Sequence, residues 1–272
     1  MPELPEVETF IRKLRPHLLG RIITNADLRW PRTLAFPSAR KFKELVRGQE
    51  IREVTRRAKY FILRLSDHNL LIHLRMSGDL LLKEGKAPAE KHDRLILTLA
   101  SPLDGELNSL VFNDTRKFGR VWLTSDPDEV LGRLGPEPLS RTFTPQWLHA
   151  ALQGKHRQLK PLLLDQTFLA GLGNIYTDES LHLAKLHPLT PSNAVTPQQA
   201  KLLHEAIRRV LQEGIRRQGA SIDWVYRGGE FQNYFRVYDR AGKPCPACGA
   251  EIQRLIIGQR STHFCPECQV VR

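Results

Sequence analysis

A chain of 272 residues is long enough for about two domains of the usual 100–200 residues. Its 41% hydrophobic content excludes a disordered, charge-dominated polymer. Lys plus Arg exceed Asp plus Glu by 41 to 29, a net charge of +12. That excess points to a polyanionic partner such as nucleic acid, because each phosphate contact releases condensed counterions. No run approaches the ~18 apolar residues of a membrane span. The acidic, proline-rich start at residues 1–6 is unlike a signal peptide, so a soluble, intracellular chain without membrane association is expected.

In chain order, residues 5–19 are predicted as a helix. Val7, Phe10, Ile11, Leu14 and Leu18 fall on one face, and Pro5 suits a first helical position. From about residue 20 to 125 the pattern turns to strands, namely Tyr60–Leu65, Leu70–Met76, Leu80–Leu82, Leu95–Leu99, Leu110–Phe112 and Arg120–Leu123. Turn sequences such as Ser77-Gly78-Asp79 and Asp104-Gly105 separate them, as in an antiparallel sandwich or barrel. The stretch Gly132–Pro138 reads as a boundary. Beyond it, Thr144-Pro145 and Thr196-Pro197 each place an N-cap before a proline at the first helical position. The second opens an amphipathic helix expected to end near Gly219. A Gly-bearing turn at 172–175 leads into a helix over Tyr176–Leu186, and strands are expected over 231–238.

All four cysteines lie near the C-terminus, as Cys245-Pro-Ala-Cys248 and Cys265-Pro-Glu-Cys268. Two such knuckles, 16 residues apart (249–264), can close a tetrahedral thiolate site around a hairpin. One structural Zn²⁺ is therefore expected. With four sulfur ligands it has no open position for chemistry.

Pro2 is small enough to permit removal of Met1, which would leave its ring nitrogen as a secondary amine. An α-amine titrates near 7.7–8.0, so part of it is neutral and nucleophilic at physiological pH. Attack on an aldehyde-level sugar carbon gives an iminium ion, an electron sink for elimination. Glu3 and Glu6 stand beside it in sequence, able to move protons. The same two carboxylates would also suit a helix N-terminus with no catalytic part.

The start Met-Pro-Glu-Leu-Pro-Glu-Val-Glu-Thr, together with the cysteine hairpin, closely resembles the bacterial formamidopyrimidine-DNA glycosylases. Further matching motifs are Arg57-Ala-Lys59-Tyr60, His73-Leu-Arg-Met76-Ser-Gly78, Asn113-Asp-Thr-Arg116-Lys-Phe118-Gly119, Gly171-Leu-Gly-Asn174-Ile-Tyr176 and Val237-Tyr-Asp-Arg240-Ala-Gly-Lys-Pro-Cys245. The resemblance implies an α+β chain. Its parts would be an N-terminal antiparallel β-sandwich flanked by helices (1–135), a helix–two-turn–helix domain (136–228) and a zinc-finger β-hairpin (229–272), with DNA bound between them.

By resemblance, Pro2 is the Schiff-base nucleophile at C1′ of the damaged nucleotide, with Glu3 as its acid/base partner and Glu6 in support. Lys59 matches a proton donor in β-elimination, and Arg260 the residue assigned to δ-elimination or phosphate gripping. An extruded nucleotide leaves a hole in the duplex, and Met76, Arg116 and Phe118 match the residues that fill it. Lys59, His73, Asn174 and Arg260 match a phosphate clamp, with Tyr176 beside Asn174. His92, Lys155 and Lys160 match further DNA contacts. The implied protein is a bifunctional glycosylase and AP lyase of base excision repair, acting on 8-oxoguanine opposite cytosine and on formamidopyrimidines in damaged double-stranded DNA. It would need no small-molecule cofactor and work as a monomer in the bacterial cytoplasm, at the nucleoid.

Thr115 stands where the family's loop has proline, which would soften the turn holding Arg116. The segment Ser221–Gln232 matches a loop that closes over the extruded base. Two alternatives remain at this point. One is an endonuclease VIII-type enzyme for oxidised pyrimidines, whose start has Gly where this chain has Leu4. The other is a zinc-ribbon protein that binds lesions without cutting.

Overall fold

The computed structural model describes residues 1–86, 88–221 and 228–270. By the clustering of its contacts the chain divides into two compact units. Among the described residues, the first holds Met1–Pro2 and Glu6–Arg133, and the second holds Glu3–Pro5, Leu134–Ser221 and 228–270.

Helix α1 (Leu4–Leu18), which belongs to the first unit from Glu6 onward, precedes β1 (Ile22–Leu28), β2 (Leu34–Phe36) and a short helix α2 (Ala39–Val46). Then come β3 (Ile51–Arg57), β4 (Tyr60–Leu65), β5 (Asn69–His73), β6 (Gly78–Glu84), β7 (Asp93–Ala100), β8 (Leu107–Asp114) and β9 (Arg120–Thr124). The strands form two sheets, ordered β1-β7-β8-β6 and β2-β9-β5-β4-β3. Every pairing is antiparallel except β2 with β9. One core joins Leu70, Ile72 and Phe61 of one sheet with Leu97, Leu110 and Phe112 of the other, and it includes Val7, Ile11, Leu14 and Leu18 of α1. Those α1 positions are the stripe that the sequence marks. Helix α2 interrupts the expected run of strands. Ser38 caps it through Lys41 N, and it buries only Phe42 and Val46, too few positions to set a recognisable period. Strand β5 stops at His73, because Arg75 at φ 56° turns the chain at Met76.

The second unit is helical and ends in a hairpin. After a single turn, α3 (Asp128–Leu131) in the first unit, come α4 (Pro145–Gln153), α5 (Leu159–Leu163), α6 (Asn174–Leu183) and α7 (Pro197–Arg216). Thr144 caps α4 through Trp147 N, and Thr196 forms a full capping box with Gln199 on α7. Residues 231–234 form a 3-10 turn instead of the expected strand. The aromatic residues there pack at helical spacing: Phe231 stacks on Tyr176 at 5.1 Å and meets Phe235 edge-on at 5.5 Å. Strands β10 (Gln253–Ile257) and β11 (Arg260–Phe264) pair around Gly258-Gln259, whose φ values of 53° and 61° suit a two-residue hairpin.

Candidate active site, DNA-contacting turns and metal centre

The glycines at 171 and 173 exist because the N-terminal residues press on them. Leu4 N donates to Gly171 O at 3.1 Å. A Cβ on Gly171, itself at φ +115°, would lie 2.7 Å from Leu4 Cδ1, and one on Gly173 would lie 2.3 Å from Glu3 Cδ. The Glu3 carboxylate is buried there and accepts from Gly173 N at 2.5 Å and Ile175 N at 3.0 Å. It therefore caps α6, where backbone N–H groups concentrate positive potential. Glu3 thus supplies the negative charge at this helix start from within the chain. Pro2 and Glu6 are buried as well.

Lys59 follows Ala58 in the two-residue turn between β3 and β4, where Arg57 pairs with Tyr60. Ala58 adopts φ 53°, a costly conformation for a residue with a Cβ, and both turn residues are buried. Across the strand, His73 packs edge-on to Tyr60 at 4.6 Å and accepts Arg75 N at Nδ1, 3.0 Å away. Burial first, then the charges of Arg75 and Lys59, lower His73 to about 3. The ring is thus neutral, with its proton on Nε2, ready to donate.

Met76 is half-buried on the β5–β6 turn, while Arg116 and Phe118 are exposed on the β8–β9 turn. The Arg116 guanidinium lies 4.9 Å over the Phe118 ring. His92 is half-buried and Lys155 and Arg260 are exposed. Asn174 opens α6 and donates from Nδ2 to Ser261 O at 2.9 Å, next to Arg260.

Two expected contacts are corrected by burial. Lys160 is fully buried, its Nζ donating to Asp178 Oδ1 at 2.6 Å and to Ser261 O at 2.8 Å. Tyr176 is also fully buried, stacked on Phe231 and so close to α7 that a Cβ on Gly214 would lie 2.5 Å from its ring. Both side chains are enclosed by protein partners and not exposed on a surface. Asp178 further accepts His263 N at 2.9 Å through Oδ2, so one carboxylate joins α5, α6 and β11. Next to it, buried Glu179 accepts the N–H groups of Arg236, Val237 and Tyr238 at 2.9–3.0 Å. The sequence signal for this pair is two adjacent acids within a helix that has no lysine or arginine of its own.

The four cysteine sulfurs lie within 4.8 Å of one another. Cys245 and Cys268 are 3.9 Å apart and Cys248 and Cys265 3.4 Å, close to the ~3.8 Å that tetrahedral Zn–S bonds of 2.3 Å require. Ala247 N and Cys268 N point at Cys245 and Cys265 Sγ, each at 3.4 Å, and His182 Nε2 lies 3.4 Å from Cys245 Sγ. The donor set fits one structural zinc.

Family models match along the chain: the formamidopyrimidine-DNA glycosylase N-terminal domain at residues 1–121, the formamidopyrimidine-DNA glycosylase H2TH domain at 134–225, and the zinc finger found in FPG and IleRS at 242–270. The chain belongs to the formamidopyrimidine-DNA glycosylase family. It is 48% identical to the formamidopyrimidine-DNA glycosylase of Chloroflexus aurantiacus, over 99% of this chain and 98% of that protein. The Protochlamydia amoebophila enzyme is 43% identical over 99% of each. Among solved structures, a Lactococcus lactis FPG mutant in complex with DNA containing Fapy-dG matches with TM-score 0.91 and 39% identity, over 99% of this chain and 100% of that one. MutM in complex with DNA containing carbocyclic 8-oxo-G matches with TM-score 0.90 and 39% identity over the same shares. Residues 222–227 of the expected base-covering loop lie outside the described residues. Among the described residues, no helix is long and apolar enough to cross a membrane.

Proposed function

We propose that this member of the family works through Pro2, and that the buried, α6-capping carboxylate of Glu3 is the observation that carries the assignment. The protein is a DNA glycosylase and AP lyase of base excision repair. It excises oxidised purines, 8-oxoguanine opposite cytosine and formamidopyrimidines, and then cuts the strand by β,δ-elimination. The Pro2 nitrogen, freed by removal of Met1, attacks C1′ and the base leaves. Glu3 is covalently next to that nitrogen and is held by two N–H bonds and the close approach of Gly173, so its carboxyl moves protons at a fixed place. Glu6 supports it. Lys59, on its strained turn, gives a proton during β-elimination, and Arg260 serves δ-elimination at the tip of the zinc hairpin.

Met76, Arg116 and Phe118 fill the hole left by the extruded nucleotide. His73, His92, Lys155, Asn174 and Arg260 meet the DNA backbone, His73 as a neutral donor. Zinc, bound by Cys245, Cys248, Cys265 and Cys268, folds the hairpin and takes no part in the reaction. The functional division is 1–135, 136–228 and 229–272. The protein acts as a monomer on damaged double-stranded DNA, in the bacterial cytoplasm at the nucleoid.

The test compares base release from 8-oxoguanine:cytosine and thymine-glycol duplexes. Faster release from the purine lesion is expected, as is a loss of about 10²–10⁴-fold in Glu3→Gln. Faster release of the oxidised pyrimidine, or full activity in Glu3→Gln, contradicts the reading.

A further inference from the structure

The three residues assigned to fill the duplex belong to two turns that are far apart in sequence, and both rest on the end of strand β8. Gly78, which closes the Met76 turn, pairs with Asp114 across the β6–β8 ladder. Asp114 is fully buried. Its Oδ1 accepts Ser77 Oγ at 2.5 Å, from the Met76 turn, and Arg116 N at 3.2 Å, from the other turn. Its Oδ2 accepts Gly119 N at 2.7 Å. Ser77 Oγ also accepts Arg116 N at 3.2 Å, which closes the triangle. The Asp114 backbone is fixed in turn, its N–H donating to His92 O at 2.9 Å and its O accepting Arg94 Nε at 2.7 Å.

Two residues back on the same strand face, the buried Phe112 ring touches both turns. A Cβ on Gly78 would fall 2.8 Å from Phe112 Cε2, and one on Gly119 would fall 2.2 Å from Phe112 Cζ. Each turn also holds a non-glycine residue in left-handed conformation beside its wedge, Arg75 at φ 56° and Lys117 at φ 60°. Such conformations persist only where the surroundings over-determine them.

We propose that Asp114, seated beside Phe112, is the positioning residue that locks the Met76 turn and the Arg116–Phe118 turn into one rigid wedge for nucleotide extrusion. A carboxylate suits this seat because it has only acceptors for three converging donors, whereas an amide would turn an NH₂ toward one of them. The seat also answers the softening expected from Thr115: with no proline to fix the backbone, the carboxylate holds Arg116 N directly.

The inference rests on the reading of Met76, Arg116 and Phe118 as the void-filling residues. The experiment measures single-turnover base release from 8-oxoguanine:cytosine duplex, which needs extrusion of a paired base, and strand cutting of a duplex with a preformed abasic site, which needs far less. Asp114→Asn should slow base release about ten- to a hundredfold, as misplacement away from the reacting atoms can do. It should leave abasic-site cutting within about twofold. Asp114→Asn combined with Arg116→Ala should be no slower than Arg116→Ala alone, because both remove one coupled device. Ser77→Ala, which cuts only the tie between the turns, should slow base release in the same direction and guards against misfolding of the first variant. Equal losses on both substrates, or multiplicative losses in the double variant, overturn the proposal. Normal base release in Asp114→Asn with a slow Arg116→Ala defeats the tie but keeps the wedge. Normal release in Arg116→Ala defeats the wedge reading itself, and the tie with it.

Discussion

Burial, and then the charges of Arg75 and Lys59, bring His73 from an ordinary 6.5 down to about 3. The unfolded chain therefore takes up a proton near pH 6.5 that the folded chain refuses until about pH 3. His73 contributes stability that is complete above pH 6.5 and lost as pH falls through that window. The slope is at most about 1.4 kcal/mol per pH unit. Urea unfolding at pH 7 and pH 5 should show the native chain losing about 1–2 kcal/mol more than His73→Gln; equal losses would mean the imidazole is not held neutral. At this scale the sequence displays residue types and motif spacing but not the partners they find. The motifs single out Glu3 and Lys59, but not the α6 cap that Glu3 makes or the buried turn that holds Lys59. The burial of Lys160 was not legible, because the resemblance carries a motif position and not its partner, and Asp178 is 18 positions away on another helix.

Helix α6 shows how one element organises a site from beneath. Thr177, Asp178, Glu179 and Ser180 are all fully buried, and the two acids point to different partners, Lys160 and β11 on one side and the chain at 236–238 on the other. Removing one member of a buried pair strands the other charge, so Lys160→Ala should cost about 3–5 kcal/mol in unfolding free energy. A cost within ~0.5 kcal/mol, typical of surface substitutions, would return Lys160 to the surface. The helices announced by Thr-Pro caps were legible because capping is local chemistry, as were strands with clear turn signals. Helix α2 and the turn at 231–234 were not. The first has only two buried positions, and the second owes its shape to Tyr176, a residue of another element. The cysteine knuckles were legible because metal ligation fixes their spacing. Stripping zinc with a chelator, or Cys245→Ser, should unfold the hairpin that carries Arg260 and weaken lesion-DNA binding, read by fluorescence anisotropy. Unchanged affinity would detach the hairpin from DNA recognition.

For the whole molecule, charge, fold and family agree. The excess of cations predicts DNA binding that falls steeply with salt, the sandwich and helical units are those the motifs imply, and the relatives align over almost the full chain. Everything chemical nevertheless depends on a single nitrogen at residue 2. The most direct measurement is borohydride reduction of the protein on 8-oxoguanine:cytosine duplex, followed by mass mapping of the residue that carries the sugar. The account predicts one covalent adduct, on Pro2 of chains that have lost Met1, and none on a chain with an N-terminal tag that still binds the lesion. An adduct on a lysine, or equal trapping of the tagged chain, would contradict it.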